Sequence, residues 1–232
     1  MNSTQIQAVF FDAAGTLIHL AQTVGEGYSQ VAKRHGIELD PEATDRAFRI
    51  AWRSMPPMGS PLGEDGNRSE KHWWRIIVDR VLDSSPPDPP PELRDSYFED
   101  LFESYADPLQ WRLYPEVPEI LGTLKQQGLR LFVLSNFDSR LLRILDGLGL
   151  SEQFEEVFYS GAIGHSKPSA QAFDHGLRSC GLSAAQCLHV GDDPEADWQG
   201  AANAGFQVFR LDRKLGDLRP LKNLHQMPDF SD

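Results

Sequence analysis

Short apolar runs that end on a polar residue recur along this chain. The first is Ala8-Val9-Phe10-Phe11, closed by Asp12. Four more stand in the second half: "RLFVLSN" (130–136), "EEVFYS" (155–160), "CLHVGD" (187–192) and "FQVFRL" (206–211). Runs of this length, rich in Val, Leu and Phe, are what strands buried on both faces look like. Between them the apolar period lengthens to that of a helix. "SRLLRILDGLGL" (139–150) closes at Gly147 and Gly149, "SAQAFDHGLRSCGL" (169–182) has Gly181 placed as a C-cap, and "EADWQGAANAG" (195–205) is again stopped by Gly. Strands alternating with helices predict an α/β fold, a doubly wound parallel sheet of Rossmann type with helices on both faces.

Residues 19–110 break that rhythm. They read as helices near 22–35, 41–54, 69–82 and 91–105, joined by Pro-rich loops at 55–68 and 83–92. The expected organisation is therefore an α/β core made of residues 1–18 and 111–232, with a helical domain, 19–110, inserted after the first strand. A short helix at 218–226 is expected in the tail.

Bulk properties narrow the function classes. The chain of 232 residues carries a net charge of -12, with a pI of about 5.0. No basic field exists to release counterions from nucleic acid or to bind an anionic membrane, so neither is expected as a partner. A phosphorylated small molecule remains open, because one Lys and one metal can reverse the sign locally. Cys180 and Cys187 are too few for a disulfide framework and read as reduced thiols. No basic leader stands at the start, and no apolar run reaches the roughly 20 residues needed to span a bilayer. The expected location is cytoplasmic.

Open α/β sheets bind ligands at the carboxyl ends of their strands. Here those ends carry Asp12, Ser135-Asn136 and Gly191-Asp192. Asp12, Asp192, Asp193 and Asp197 gathered at one crevice would repel by around 4 kcal/mol per pair at about 4 Å. They call for a cation, and all-oxygen ligation points to Mg2+. Alone, "GDDPEAD" would pass for a solvated helix N-terminus. The turn after Ser135 and Asn136 suits an anion such as phosphate, and Lys167 in "GHSKPSAQAF" supplies a fixed cation.

These residues carry a resemblance. "FFDAAGTL", "LSNFD", "SKPSAQAF" and "VGDDPEADWQGAANAGF" stand in the order and spacing of the four motifs of the haloacid dehalogenase-like superfamily. The helical insertion after the first motif is similar to that superfamily's C1 cap. The resemblance implies a hydrolase in which Asp12 attacks phosphorus and forms an aspartyl-phosphate. It implies Mg2+ held by Asp12, the backbone carbonyl of Ala14 and Asp192, with Asp197 behind or through water. Ser135, Asn136 and the turn amides would hold phosphoryl oxygens, and Lys167 would neutralise charge and orient Asp12. Gly15 would permit the turn, and Thr16 would help fix the loop around the phosphate. Dehalogenation of haloacids is disfavoured, because such members lack an acidic cluster like Asp192, Asp193 and Asp197.

The chain departs from the pattern at position 14. Phosphatases of this superfamily have a second Asp there as general acid and base, a function commonly worth about 10²–10⁴ in rate. Ala14 keeps the backbone carbonyl and loses the proton shuttle. Three readings stay open: a weak or specialised phosphatase, a phosphonoacetaldehyde hydrolase using a Lys of the insertion, and a binding protein without turnover. The insertion holds only Lys33 and Lys71 for the second. Trp52, Trp73, Trp74 and Trp111 are expected to pack the helical core. Arg53, Arg68 and Arg75 are candidates for an anionic substrate or a solvated face, and the 55–68 loop for a moving cover. His189 is expected as a packing residue, and His165 as a candidate for support near Lys167.

Overall fold

The computed structural model describes residues 5–58, 66–85 and 89–226, with side chains left aside at 66–69 and 225–226. Residues 59–65 of the 55–68 loop, the Arg68 side chain and residues 86–88 of the 83–92 stretch lie outside the described residues.

Five parallel strands build the sheet, in the order β5-β4-β1-β6-β7. They are β1 (Ala8–Phe11), β4 (Arg130–Ser135), β5 (Glu156–Tyr159), β6 (Cys187–Gly191) and β7 (Gln207–Arg210). Strand β1 is central and wholly buried because both its faces are apolar. Its two faces serve different layers: Phe10 stacks on Phe132 at 4.7 Å on one side, and Val9 and Phe11 join Val133 and Val190 on the other. The register Phe11↔Val133 and Phe11↔Val190 brings the residues following all three strands to one edge.

The insertion contributes four helices, α1 (Val24–Arg34), α2 (Pro41–Arg53), α3 (Gly66–Asp83) and α4 (Pro91–Ser104). Thr23 and Glu26 form a capping box that starts α1. Asp40 caps α2, whose first residue is a proline. The four helices share an apolar cluster around Tyr28, Ile77, Val81 and Tyr97, distinct from those of the sheet.

The structure departs from the sequence pattern in several places. The insertion is entered and left through a short antiparallel ribbon, β2 (Ile18–Leu20) with β3 (Trp111–Leu113). Its strands of three residues are too short to show a period, and the expected boundary after residue 18 falls inside β2. Helix α5 (Val117–Gln126) follows β3 and was not foreseen. After it come α6 (Arg140–Gly147), a single turn α7 (Ser160–Ile163) and α8 (Ala170–Cys180), which ends at Gly181 with φ 69°. The helix expected at 195–205 begins instead as a π-helical turn over Pro194–Gln199 and continues as α9 (Gly200–Asn203). The tail forms 3₁₀ turns over Arg219–Gln226, kinked at Asn223.

A buried ion pair ties the insertion to the sheet. Asp138, just beyond β4, is fully buried. It accepts hydrogen bonds from Trp74 Nε1 at 2.6 Å and Arg140 Nη2 at 2.6 Å. Arg140 also donates to the Phe102 carbonyl at 3.2 Å and lies 3.9 Å from the Phe102 ring centroid. Glu70 accepts from the Ser139 amide and hydroxyl at 3.2 and 2.7 Å. Replacing Asp138 by Ala strands a buried guanidinium, so Asp138→Ala is expected to lose about 3–5 kcal/mol of unfolding free energy. Urea denaturation checks this; a loss under about 1 kcal/mol would mean that Arg140 finds another partner.

Candidate active site

Three strand ends meet at one edge of the sheet. Asp12 leaves β1, Ser135 ends β4, and Asp192 follows β6. Asp12 is 7% exposed, Lys167 3% and Asp197 1%. Lys167 Nζ donates to Asp12 Oδ1 at 2.8 Å and to Asp197 Oδ1 at 2.6 Å. Ser135 Oγ donates to the same Asp12 oxygen at 3.0 Å. Two donors on Oδ1 fix the carboxylate and leave Oδ2 with no protein donor among the described residues.

The loop after β1 is shaped by its glycine. Gly15 has φ 92°, and a Cβ there would sit 2.4 Å from an Asp192 carboxylate oxygen. Any other residue would be strained and would push Asp192 aside. Arg213 holds the loop from behind, donating to the carbonyls of Gly15 and Thr16 and pairing with Glu116. Nothing in the local pattern around Arg213 pointed to this.

Several sequence-based expectations take a different form here. Thr16 is buried and donates to Asp192 Oδ1 at 3.3 Å. It does not line the cavity above Asp12, so it steadies a carboxylate rather than meeting a phosphate. The Asn136 side chain is engaged with the Lys167 backbone, donating to its carbonyl at 2.8 Å and accepting from its amide at 2.7 Å. Asn136 therefore aims the lysine. Asp193 caps the π turn, accepting from the amides of Glu195 and Ala196 at 2.9 and 2.7 Å. His165 is exposed and lines no part of the cavity. His189 is buried against Phe173, and its Nε2 reaches Asp197 Oδ1 at 2.8 Å. Its Nδ1 has no partner among the described residues, and Nε2 carries the hydrogen toward the carboxylate, so His189 aims Asp197. A His inside an apolar strand was the available signal.

A cavity of about 640 Å³ opens above Asp12, lined at its floor by Ala14, Gly15, Ser135, Lys167 and Asp192. Ala14 is exposed into it. Of the four tryptophans expected as core, Trp73 is buried in the helical core, its Nε1 on the Pro56 carbonyl at 2.9 Å, and Trp74 packs against the same cluster. Trp52, Trp74 and Trp111 line the cavity, because the helices close over the sheet edge as well as on each other. Arg53 lines it too, and so does Arg49, which the sequence pattern did not single out. Arg75 is instead paired with Asp79 and Asp95. Neither Lys33 nor Lys71 reaches the cavity; Lys71 pairs with Glu99 at 2.6 Å.

The donor set suits a divalent cation. Oxygens of Asp12, Asp192 and Asp197 lie within 4.8 Å of one another. The Ala14 carbonyl accepts no hydrogen bond among the described residues. Both Asp197 oxygens are engaged, Oδ1 by Lys167 and His189 and Oδ2 by the Asp193 amide at 3.0 Å. Asp12, Ala14 and Asp192 are thus the freer ligands. Burial first, and the charges of Asp197 and Asp192 after it, push the Asp12 carboxyl up to about 7 against the pull of Lys167. Burial and Asp197 raise Asp192 as well. Burial also opposes the ionised Asp197, but Lys167 and His189 outweigh it and hold that carboxyl well below its usual range. Lys167 itself is held protonated: burial works against its charge, and Asp12 and Asp197 outweigh the burial. One ammonium does not balance three carboxylates, and a bound cation would.

A description of haloacid dehalogenase-like hydrolases matches residues 6–205 of this chain. The human protein "Haloacid dehalogenase-like hydrolase domain-containing protein 3" is 32% identical over 210 residues, 88% of this chain and 81% of the human one. The chain belongs to the haloacid dehalogenase-like hydrolase family. Two solved structures share the family fold. An L-2-haloacid dehalogenase matches with a TM-score of 0.71 at 24% identity, over 97% of this chain and 100% of that one. A Bacillus subtilis HAD-hydrolase bound to magnesium matches with a TM-score of 0.71 at 18% identity, over 96% of this chain and 100% of that one. The stretches FFDAAGTL, LSNFD and VGDDPEADWQGAANAGF run off the ends of β1, β4 and β6. Among the described residues, no helix is long and apolar enough to cross a membrane.

The Asp12 shift sets a pH dependence. In the folded, metal-free protein Asp12 keeps its proton up to about 7, against 3.8 ordinarily. The folded state therefore binds more protons than the unfolded chain across that window, and this group's contribution to stability falls as pH rises through it. A divalent cation competes with that proton and, beside Lys167, Asp192 and Asp197, removes the penalty. Mg2+ should raise Tm more at about pH 8 than at about pH 5.5. Differential scanning fluorimetry checks this; an equal rise at both pH values would take Asp12 out of the cation site.

Proposed function

We propose that this hydrolase is a phosphatase-type enzyme that acts on a small phosphorylated molecule through an aspartyl-phosphate on Asp12. The observation that carries the reading is the aimed, buried Asp12 carboxylate at the cavity floor, with Lys167 and Ser135 on one oxygen. Asp12, the Ala14 carbonyl and Asp192 would hold Mg2+, with Asp197 behind. Bound there, the ion would supply charge neutralisation for the phosphoryl oxygens and the carboxylates. Lys167 keeps its proton and stabilises the charge that develops during transfer. Gly15 lets the backbone approach the phosphoryl group. His189 and Asn136 keep Asp197 and Lys167 in line without touching substrate.

Position 14 decides how the protons move. No carboxyl side chain stands there to protonate a leaving oxygen or to activate water. Departure of the first product then depends on the leaving group's own stability, and hydrolysis of the aspartyl-phosphate is slowed. The acidic cluster supports phosphoryl transfer over dehalogenation, although several fold neighbours are dehalogenases. The phosphonoacetaldehyde hydrolase reading finds no support in the cavity lining, where Lys167 is the only lysine among the described residues. A protein that binds metal and phosphate without turnover is the reading that Ala14 favours as second.

Rapid mixing with p-nitrophenyl phosphate and Mg2+ separates these. Asp12→Asn should abolish phosphate release, and Ala14→Asp should raise turnover of a hexose phosphate, by up to roughly 10²–10⁴. Wild type should release about one equivalent of nitrophenol per enzyme ahead of steady turnover, because the second step lacks its base. Undiminished release by Asp12→Asn would remove Asp12 as nucleophile. Binding of Mg2+ and vanadate with no turnover in either wild type or Ala14→Asp would favour the binding protein.

A further inference from the structure

The floor of the cavity is ionic, and its wall is aromatic. Phe48, Trp52 and Trp74 come from the inserted helices, and Trp111 and Phe137 face them. Ring centroids are 5.9 Å apart for Phe48 and Trp52, 5.6 Å for Trp52 and Trp74, and 5.6 Å for Trp111 and Phe137. At about 640 Å³ the space far exceeds one phosphoryl group. A polyhydroxylated leaving group would find hydrogen-bond partners only away from these rings and would leave unpaired the hydroxyls that met them. A flat ring would gain burial and ring–ring contact. Trp52 lines the cavity and is 41% exposed in all, so it has indole surface left to give.

Ala14 points the same way independently. With no acid at that position, the leaving oxygen departs as an anion. An aliphatic alkoxide is too basic to do so readily, whereas a phenolate is the anion of an acid with pKa about 10 or below. We propose, on the hydrolase reading above, that the substrate is a phosphate monoester of an acidic aromatic alcohol, its ring seated among Phe48, Trp52 and Trp74. An Asp12 carboxylate oxygen bonds to phosphorus while the phosphorus–aryl oxygen bond breaks. The electron pair leaves on the phenolate, which takes its proton from solvent. Water then attacks the phosphorus of the aspartyl-phosphate, the bond to Asp12 breaks, and inorganic phosphate leaves as a proton passes to solvent. Arg49 and Arg53 also line the cavity and have no ion-pair partner among the described residues. A carboxylate on the ring would meet positive charge there.

The test compares kcat/KM for p-nitrophenyl phosphate, phenyl phosphate, a hexose phosphate and acetyl phosphate, each with Mg2+. Wild type should favour p-nitrophenyl phosphate over the hexose phosphate by roughly 10²–10⁴-fold, with phenyl phosphate between them. Trp52→Ala should cost the aryl esters about tenfold more than acetyl phosphate, and Trp52→Phe should recover most of that difference. A hexose phosphate turned over as well as the aryl esters overturns the assignment, whether or not the Ala variant folds. Equal losses on aryl esters and acetyl phosphate in Trp52→Ala overturn it too. Phosphate from none of the four compounds would defeat the hydrolase reading itself. Release from acetyl phosphate without an aryl preference defeats only the aromatic substrate.

Discussion

Lys167 is one ammonium buried between two carboxylates that arrive from different strands. Asp12 leaves the central strand and Asp197 lies on the turn after β6, and both put Oδ1 on Nζ. Taking this charge out of water is costly, and the cost is offset only while both partners hold their places. That requirement organises the surroundings. Asn136 grips the Lys167 backbone, His189 and the Asp193 amide hold Asp197, and Ser135 holds Asp12. The result is an Asp12 carboxyl whose orientation is fixed by its own neighbours.

The arrangement is also incomplete by one or more positive charges. Three carboxylates converge while Lys167 supplies a single cation, and Asp12 responds by rising toward neutrality. Gly15 allows Asp192 to come this close, since a side chain at that position would occupy the same space. The convergence of carboxylates and the positive-φ glycine turn are therefore two views of the same crowding.

The insertion does more than cover this centre. Its helices reach the sheet through Trp74 and Phe102, which meet Arg140 and Asp138 just beyond Ser135. The same Trp74 lines the cavity, so the contact that seats the insertion also builds the wall above Asp12. In the proposed reaction, Ala14 and this wall would act in one direction, each favouring a leaving group that is flat and stabilises its own negative charge.

The order of strands and helices, the parallel sheet and the four motif positions were legible in the sequence. Each depends on local period and on residue type at strand ends, and both are written in consecutive residues. The gathering of carboxylates that could hold a cation was legible for the same reason, since acids at strand ends can be read without coordinates. What tertiary structure decided was partnership across distance. Arg213 behind the Gly15 loop, Asn136 on the Lys167 backbone and His189 on Asp197 are contacts between residues that no local pattern pairs. The three tryptophans on the cavity wall were equally hidden. A Trp on an amphipathic helix faces something apolar, and only packing decides whether that is a core or a ligand space. The β2–β3 ribbon escaped because three residues cannot display an alternation, and its two strands are brought together by the insertion that separates them.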